Sequence, residues 1–445
     1  MPRIVVVSPP FASHAAPLSV LAAALGARGA EVYFACAPAF EELAVRAGVG
    51  FVPLTVTRNA NTGVAEATEQ ATDEAARLAE FVQATGKGAV EALVTQARHR
   101  QADMLADPDG VHAALRAVDE RLRPDWFVVD QLSYPVTLAL HCLRLAYATF
   151  CPGHPTYVLS GPGALFGVPY DWPDVLRPEP SQLAGLRSVA ETNDRLFTEL
   201  FTAFVNGRAP QAPVPRRAFA LTSPSAVVYA YPEVPWLPAP PHGPAHLFAG
   251  HMTGPAEPLS AEWARQMELL RARSERVVLV ALGTFLSARD DVLRAVVSDV
   301  LEGCADTAVV VAAGDRTGAL ADLAGERVVV RPTVPQQRLL GHVDAMVHHG
   351  GGNSFTECLR AGVPALVLPL SSDQFAIARD AERAGVGLVL DPNALARGDV
   401  AKALEALDVN VRPRMAGWAR ELGRRGPGWA ARHLLATMPG RAPAP

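Results

Sequence analysis

The sequence lacks the features that mark membrane, extracellular and nucleic-acid-binding proteins. No apolar run reaches the roughly 20 residues of a membrane-spanning helix, and the N-terminal run 4–7 meets Pro9 too soon for a signal peptide. The five cysteines are scattered and form no C-x-x-C pair, which argues against a disulfide framework or a zinc site. The 40 basic and 45 acidic residues leave a formal net charge of −5 and no basic run. We expect a cytoplasmic protein with reduced thiols, no stable membrane insertion and no nucleic-acid partner.

The chain is too long for one ordinary hydrophobic core. Its 445 residues favour two domains, and 49% apolar with 19% charged residues suits a well-packed globular protein. Short apolar strands alternate with helices in both halves, which predicts two doubly wound α/β sheets. Proline-dense residues 232–258 have the composition of a domain boundary.

The apolar runs define the predicted strands. In the first half they lie at 3–8, 31–35, 49–54, 125–130, 146–150 and 226–230. In the second half they lie at 276–282, 308–312, 328–331, 345–348, 365–369 and 387–390. We predict that 226–230 is the last strand of the first sheet, and that a loop over 9–17 precedes a helix over 18–28.

Residues 347–357 combine the end of a buried strand, three glycines and a helix start. The glycines let a ligand approach the backbone closely, because they carry no Cβ. Ser354 is the predicted N-cap, and Glu357 completes a capping-box pattern. Free backbone N–H groups and the positive end of the helix dipole then point at one place. With His349 as an added donor, the stretch predicts a diphosphate site.

The surrounding residues extend this stretch into a wider signature. It comprises 334–336 (Val-Pro-Gln), 349–354, Glu357, 362–364 (Gly-Val-Pro) and 369–374, which ends in Asp-Gln. The signature resembles the donor-binding motif of the UDP-glycosyltransferase superfamily, which includes bacterial macrolide and antibiotic glycosyltransferases. The resemblance covers nearly the whole chain and implies the GT-B fold, in which two Rossmann-like domains face each other across a cleft.

The resemblance also implies a domain plan. An N-terminal acceptor-binding domain over 1–235 is followed by a linker over 236–258. A donor-binding domain covers 259–415, and a C-terminal helix within 416–445 crosses back to the first domain. Residues 55–120 and 152–225 are the expected walls of the acceptor pocket.

Two residues of the first half are candidates for proton transfer. His14 follows the first strand, and on its own it could be a polar residue at a helix entry. A histidine can also remove a proton from a hydroxyl near neutral pH, and the resemblance, through the His-x-x-Pro pattern at 14–17, implies this role. Asp130 ends another strand and could be a simple strand-end cap. The resemblance implies that it orients His14 and stabilises its charged form.

The resemblance assigns the remaining site residues to the donor. The diphosphate contacts are Gly283, Thr284, His349, Asn353, Ser354 and the backbone of Gly351 and Gly352. The ribose contact is Glu357, and the sugar contacts are Asp373 and Gln374. Some have alternative readings: a tight turn at 283–284, a buried strand-end histidine at His349, a capping-box partner at Glu357 and an ordinary helix start at 373–374. His348 should point away, since side chains alternate along a strand.

One position departs from the family pattern. The residue before Val334, which commonly carries a ring that stacks on the nucleobase, is Thr333. The Val334 backbone and Gln336 would then contact the base. The donor could be a UDP-sugar or a dTDP-sugar.

The expected function is an inverting glycosyltransferase acting on a hydroxyl of a lipophilic small molecule, with no cofactor beyond the nucleotide sugar and no metal. A nucleotide-sugar epimerase and a non-catalytic partner of another transferase are the alternatives. A nicotinamide dehydrogenase is disfavoured, because no G-x-G-x-x-G follows the first strand. A homodimer is allowed, but no residue predicts it.

Overall fold

The computed structural model describes residues 1–57, 60–62, 72–103, 105–255, 257–283 and 286–438. They form two parallel β-sheets with helices packed on both faces, which confirms the predicted α/β class with two doubly wound sheets.

The first sheet has seven strands in the order β3-β2-β1-β4-β5-β6-β7. Its strands are β1 (Arg3–Val7), β2 (Glu31–Cys36), β3 (Gly50–Pro53), β4 (Trp126–Asp130), β5 (Tyr147–Cys151), β6 (Ala226–Tyr229) and β7 (Ala245–Phe248). The second sheet has six strands in the order β10-β9-β8-β11-β12-β13. Its strands are β8 (Arg276–Ala281), β9 (Thr307–Ala312), β10 (Val328–Arg331), β11 (Ala345–His348), β12 (Ala365–Val367) and β13 (Gly387–Val389).

Helices connect the strands. In the first half they are α1 (Ala12–Gly26), α2 (Glu41–Ala47), α3 (Thr72–Lys87), α4 (Ala89–Asp103), α5 (Pro108–Leu122), α6 (Tyr134–Leu143) and α7 (Pro180–Arg208). In the second half they are α8 (Ala261–Arg271), α9 (Asp290–Gly303), α10 (Gln336–Leu339), α11 (Gly352–Ala361), α12 (Gln374–Ala384), α13 (Asp399–Ala406), α14 (Arg412–Leu422) and α15 (Pro427–Thr437). The central strands are almost continuously apolar because helices cover both faces of each sheet.

The prediction that 226–230 ends the first sheet was wrong. Strand β7 pairs in parallel with β6, so part of the predicted linker belongs to the N-terminal sheet. The composition concealed this strand, because its four residues lie among prolines and glycines. Burial of Leu247 and Phe248 against the sheet outweighs the loop-like surroundings.

The predicted loop over 9–17 was also too long. Helix α1 begins at Ala12, so His14 lies in its first turn rather than in a loop, and Pro17 lies inside the helix. Proline is disfavoured in a helix interior because it removes a backbone donor. Pro17 is the sixth residue of the helix and costs it one backbone hydrogen bond, the one that would reach the Ser13 oxygen.

The C-terminal helix α15 packs on the first sheet. Its buried residues Ala430, Ala431 and Leu434 join the core formed with α1 and the first sheet. In the described part of the chain, no helix has both the length and the apolarity to cross a membrane.

Candidate active site

Each sheet brings two of the predicted site loops together at the point where its strand order reverses. In the first sheet β1 pairs with both β2 and β4, and in the second sheet β8 pairs with both β9 and β11. Loops diverge at such a point and leave a crevice that binds ligands. His14 follows β1 and Asp130 ends β4, whereas Gly283 follows β8 and His349 follows β11. The predicted residues therefore occupy the switch points of both sheets.

His14 and Asp130 form the predicted pair. Nδ1 of His14 lies 2.9 Å from Oδ2 of Asp130, and the other carboxylate oxygen accepts from the backbone N–H of Leu132 at 2.9 Å. Burial alone would lower the pKa of His14. The charge and hydrogen bond of Asp130, with a contribution from the nearby Asp373, outweigh burial and raise that pKa. Because Nδ1 is engaged, Nε2 is the nitrogen that can take a proton from a ligand.

The first turn of α1 also contacts the second domain. The side chain of Asn353 donates to the backbone oxygen of Ser13 at 2.9 Å. In a regular helix that oxygen would accept from residue 17, four positions later, but Pro17 has no N–H. The proline therefore leaves the Ser13 carbonyl available to Asn353, next to His14. This contact places the two switch points against each other.

Two glycines enclose the ring of His349. A Cβ at either Gly283 or Gly351 would lie 2.5 Å from an atom of that ring, too close for any side chain. Gly283 also has φ of +79°, a conformation that L side chains rarely adopt. Burial lowers the pKa of His349 to about 4 against the opposing effect of a hydrogen bond to the Ala281 backbone, so the ring is neutral at pH 7 and carries one N–H. The neighbouring His348 is fully buried, and its Nδ1 accepts from the backbone N–H of Gly350 at 2.9 Å.

The predicted capping box of α11 was wrong. The helix begins at Gly352 with Gly351 as its N-cap, and no side chain caps it. Ser354 is thus the third residue of the helix, because glycine reaches the extended cap geometry more easily than the sequence pattern assumed. The first N–H groups of a helix have no intrahelical partner, so an uncapped start forms a stronger anion site than a capped one.

Glu357 contacts two glutamines instead of the helix start. Its two carboxylate oxygens accept from Nε2 of Gln336 at 2.6 Å and from Nε2 of Gln337 at 2.8 Å. Gln336 also donates to Oγ of Ser354 at 3.2 Å. Burial raises the pKa of Glu357 against the opposing effect of these hydrogen bonds. The sequence reasoning missed Gln337, although its place beside Gln336 in the same motif could have indicated it.

The loop before α10 carries the residues assigned to the nucleobase. Thr333 is exposed and Val334 is half-buried, and the backbone oxygen of Val334 accepts from the N–H of Gln336 at 2.8 Å. Thr284 lies outside the described residues.

Asp373 and Gln374 have different environments. Oδ2 of Asp373 accepts from the backbone N–H of His154 at 2.8 Å, and burial raises the pKa of this carboxyl. Gln374 is buried, and its side-chain oxygen accepts from the backbone N–H groups of Leu370 and Ser371 at 2.9 and 3.0 Å. The side-chain oxygen of Gln374 is therefore engaged within its own loop.

The first domain holds the loop that carries Asp373. Besides His154, Nε2 of Gln96 donates to Oγ of Ser372 at 2.6 Å. Ser372 has φ of +56°, which is uncommon for a residue other than glycine. No motif marks Gln96 or His154, so the sequence analysis had no signal for either.

Two further observations delimit the site. In the described ranges, no group of three or more His, Cys, Asp or Glu side chains could hold a metal ion. A cavity of about 320 Å³ lies between the segment 155–170 and the edge of the first sheet at Tyr229 and Phe248. None of the predicted catalytic or donor residues lines this cavity, so it is separate from the site described above.

Comparison with known proteins identifies related sequences. Residues 224–411 match the family model of the UDP-glucoronosyl and UDP-glucosyl transferases. A sterol 3-beta-glucosyltransferase of Komagataella phaffii is 35% identical over 112 residues, which cover 25% of this chain and 9% of that protein. Demethyllactenocin mycarosyltransferase of Streptomyces fradiae is 32% identical over 132 residues, 29% of this chain and 27% of that protein. Both matches span under a third of the relative's own length.

Solved structures match over the whole chain. The glycotransferase of kitacinnamycin is 23% identical, with a TM-score of 0.68 over 98% of this chain and 99% of that chain. Glycosyltransferase VinC, in complex with dTDP, is 20% identical, with a TM-score of 0.62 over 98% and 99%. The resemblance is thereby confirmed: residues 224–411 carry the sequence pattern of the UDP-glycosyltransferase superfamily, and the whole chain has the GT-B fold.

Proposed function

We propose that this protein is an inverting glycosyltransferase that moves a sugar from a UDP- or dTDP-sugar to a hydroxyl group of a lipophilic small molecule. The observation that carries the proposal is the pairing of His14 with Asp130 beside the uncapped start of α11. The contact of Asn353 with Ser13 joins a proton acceptor and an anion site across one cleft.

The proposed reaction is one displacement. The acceptor hydroxyl gives its proton to Nε2 of His14, and its oxygen forms a bond to the anomeric carbon of the sugar. The bond between that carbon and the diphosphate oxygen breaks on the opposite side, so the configuration at the carbon inverts. Asp130 stabilises the imidazolium that results, as an aspartate does in a serine-type triad.

The departing diphosphate carries the developing negative charge. The first N–H groups of α11, at Gly352, Asn353 and Ser354, and the positive end of the helix dipole are assigned to it. His349 adds one neutral donor, because burial keeps its pKa near 4. Thr284 retains its assignment from the sequence. With these donors on the diphosphate, the proposal includes no metal and no further cofactor.

The nucleoside and the sugar are assigned to neighbouring residues. Glu357 would accept from the ribose hydroxyls, which then compete with Gln336 and Gln337 for its oxygens. We assign the sugar hydroxyls to Asp373 first, because Gln374 already uses its side-chain oxygen within the loop. A family named for UDP-sugars and a neighbour in complex with dTDP support these two nucleotides as candidates.

The acceptor class is supported by the relatives' names. They include a sterol 3-beta-glucosyltransferase, named for a lipophilic acceptor, and a demethyllactenocin mycarosyltransferase. The five buried free cysteines fit a reduced, cytoplasmic setting, which is part of the proposal.

Calorimetric titration with UDP and dTDP tests the donor site. We expect micromolar binding of one of them by the wild-type protein and its loss in His349→Ala. The exposed His342, in the same domain, provides the control variant His342→Ala, which should bind as the wild type does. Product analysis by NMR should show an anomeric configuration opposite to that of the donor.

Two outcomes would contradict the proposal. Isomerisation of the sugar by protein and nucleotide sugar alone would indicate an epimerase. A folded protein that binds neither nucleotide would indicate a non-catalytic partner of another transferase.

A further inference from the structure

Helix α12 carries a buried carboxylate whose partners all lie on the other domain. Asp380 is 1% exposed, and it accepts from Nε2 of His154 at 3.0 Å, the hydroxyl of Tyr231 at 2.9 Å and Nε1 of Trp236 at 2.7 Å. The hydroxyl of Tyr170 donates to it as well. Burial would raise the pKa of Asp380, but the interaction with His154 and the other hydrogen bonds lower it, so the carboxylate is ionised.

The hydrogen bonds determine which nitrogen of His154 carries the proton. Its Nδ1 accepts from the backbone N–H of Thr156 at 3.3 Å and lies 2.7 Å from the Thr156 hydroxyl. Nε2 therefore carries the hydrogen and donates it to Asp380. Since a buried ionised carboxylate without its donors is strongly disfavoured, this arrangement holds the His154 ring in one orientation.

His154 contacts two carboxylates, one within α12 and one at its N-cap. Its ring donates to Asp380, and its backbone N–H donates to Oδ2 of Asp373 at 2.8 Å, at the start of the same helix. The preceding residue must be Gly153, because a Cβ there would lie 2.6 Å from that oxygen of Asp373. One residue of the first domain thus links the buried carboxylate to the carboxylate beside His14.

The two contacts form or break together. Asp373 is the N-cap of α12 and Asp380 lies within that helix, in the second domain, whereas Gly153 and His154 belong to the first domain. When the domains are apart, Asp380 loses its buried donors and Asp373 loses the N–H that orients it. In the arrangement observed here, both carboxylates are satisfied at once.

We propose that Asp380 is a positioning residue for the donor sugar, which through His154 holds Asp373 in place beside His14 when the two domains meet. This inference rests on the proposed function, in which Asp373 contacts the sugar. It makes recognition of the sugar, but not of the nucleoside diphosphate, depend on a residue buried outside the cleft.

The variant Asp380→Asn tests the inference. Each carboxylate oxygen accepts from one N–H and one tyrosine hydroxyl, so an NH₂ group in place of either oxygen faces the N–H of His154 or of Trp236. We expect affinity for the nucleotide sugar to fall about tenfold, the scale of one misplaced hydrogen bond, while affinity for UDP or dTDP alone stays within about twofold. Calorimetry with both ligands measures the ratio of the affinity for the nucleotide sugar to the affinity for the nucleotide alone. In kinetics, KM for the nucleotide sugar should rise more than kcat falls.

Two further variants separate positioning from stability. If Asp380 acts through Asp373, then Asp380→Asn adds no further loss of sugar affinity in an Asp373→Asn background. The control is Asp299→Asn, at another buried aspartate of the second domain, which accepts from backbone N–H groups of Gly398, Val400 and Ala401. This control should lower Tm and leave the ratio of the two affinities unchanged.

The outcomes distinguish this inference from the proposed function. A wild-type protein that binds neither ligand contradicts the proposed function and, with it, this inference. If the wild-type protein binds both ligands and Asp380→Asn leaves the ratio of the two affinities unchanged, whether or not both fall, the inference alone is overturned.

If Asp380→Asn does not fold, Tyr231→Phe removes one hydrogen bond to Asp380 and keeps the ring. It should then change the ratio in the same direction by a smaller factor, and an unchanged ratio in this variant also overturns the inference.

Discussion

The position of one proton decides what His14 can do. Its Nδ1 faces the carboxylate of Asp130, which is itself held by the backbone N–H of Leu132. The imidazole therefore presents Nε2 as an acceptor, which is the form that a general base needs. The same aspartate raises the pKa of His14, so the base reaches its neutral form only above the ordinary value of about 6.5.

Asp130→Asn should abolish this arrangement. Leu132 keeps the amide oxygen on its side, so the new NH₂ group faces Nδ1 and forces the hydrogen onto Nε2. We expect kcat to fall by about 10²–10⁴-fold, while nucleotide affinity in calorimetry is retained.

In the wild type, kcat/KM should rise with pH through a pKa above 6.5. An ascending limb at or below 6.5 would contradict the assignment of the base.

Gly283→Ala should disturb the ring of His349. The new methyl group would lie 2.5 Å from that ring, and alanine would adopt a positive φ. The strained backbone alone costs about 1–2 kcal/mol, and the displaced ring no longer meets the diphosphate. We expect nucleotide affinity to fall at least tenfold by calorimetry. The control is Gly318→Ala, where a Cβ meets no atom within 4 Å. Equal nucleotide affinity of the two variants would contradict the assignment of His349 to the diphosphate.

Among the helices, α1 is irregular near its start because it contains a proline. Pro17 costs the helix a backbone hydrogen bond and leaves the Ser13 oxygen for Asn353. Helix α11 likewise leaves backbone groups without a partner in the helix, because no side chain caps its first N–H groups. In the proposal these groups bind the anion. Both helices thus expose backbone groups at the ends that face each other.

Pro17→Ala tests the role of the proline. Alanine restores an N–H that competes with Asn353 for the Ser13 oxygen, and it removes a helix-interior penalty of up to about 3 kcal/mol. We expect Tm to rise and affinity for the nucleotide to fall, as measured by thermal unfolding and calorimetry. Asn353→Ala should lower that affinity without raising Tm. A Pro17→Ala protein with unchanged affinity would show that the interdomain bond does not depend on the proline.

At the scale of the molecule, the C-terminal segment joins the two domains, and a buried histidine lies where it crosses. His251 is 3% exposed, and a Cβ at Gly426 would lie 2.6 Å from its ring. The backbone N–H of Thr253 donates to its Nδ1 at 3.1 Å. Burial and then the charge of Arg360 lower the pKa of His251 to about 4.

This pKa predicts how stability depends on pH. Between pH 6.5 and about 4 the unfolded chain binds a proton at His251 and the folded chain does not, so the free energy of unfolding falls as pH falls. A shift of this size corresponds to about 3 kcal/mol. His251→Asn keeps an acceptor for Thr253 and removes the titration. Chemical denaturation should therefore show a smaller loss of stability between pH 6.5 and 4 in the variant, and equal losses would contradict the prediction.

The element order was largely predictable from the sequence. The predicted strands 328–331 and 345–348 match β10 and β11, because buried parallel strands leave continuous apolar runs between turn residues. Strand β7 and the start of α1 were missed where local signals conflict with burial. Prolines and glycines around 245–248 and the proline at 17 suggested loops in places where packing forms regular structure.

By itself, the sequence determined the two α/β halves and the glycine-rich turn at 350–352, together with the histidines and acids at the strand ends. These follow from hydrophobic periodicity and from the backbone freedom of glycine, which are local properties. Only the tertiary structure decided which groups are still available to a ligand. It engages the oxygen of Gln374 within its own loop, pairs Glu357 with two glutamines and links Asp380 to Asp373 through His154. The link through His154 joins residues more than 200 positions apart, and burial brings them together without any periodic signal in the chain.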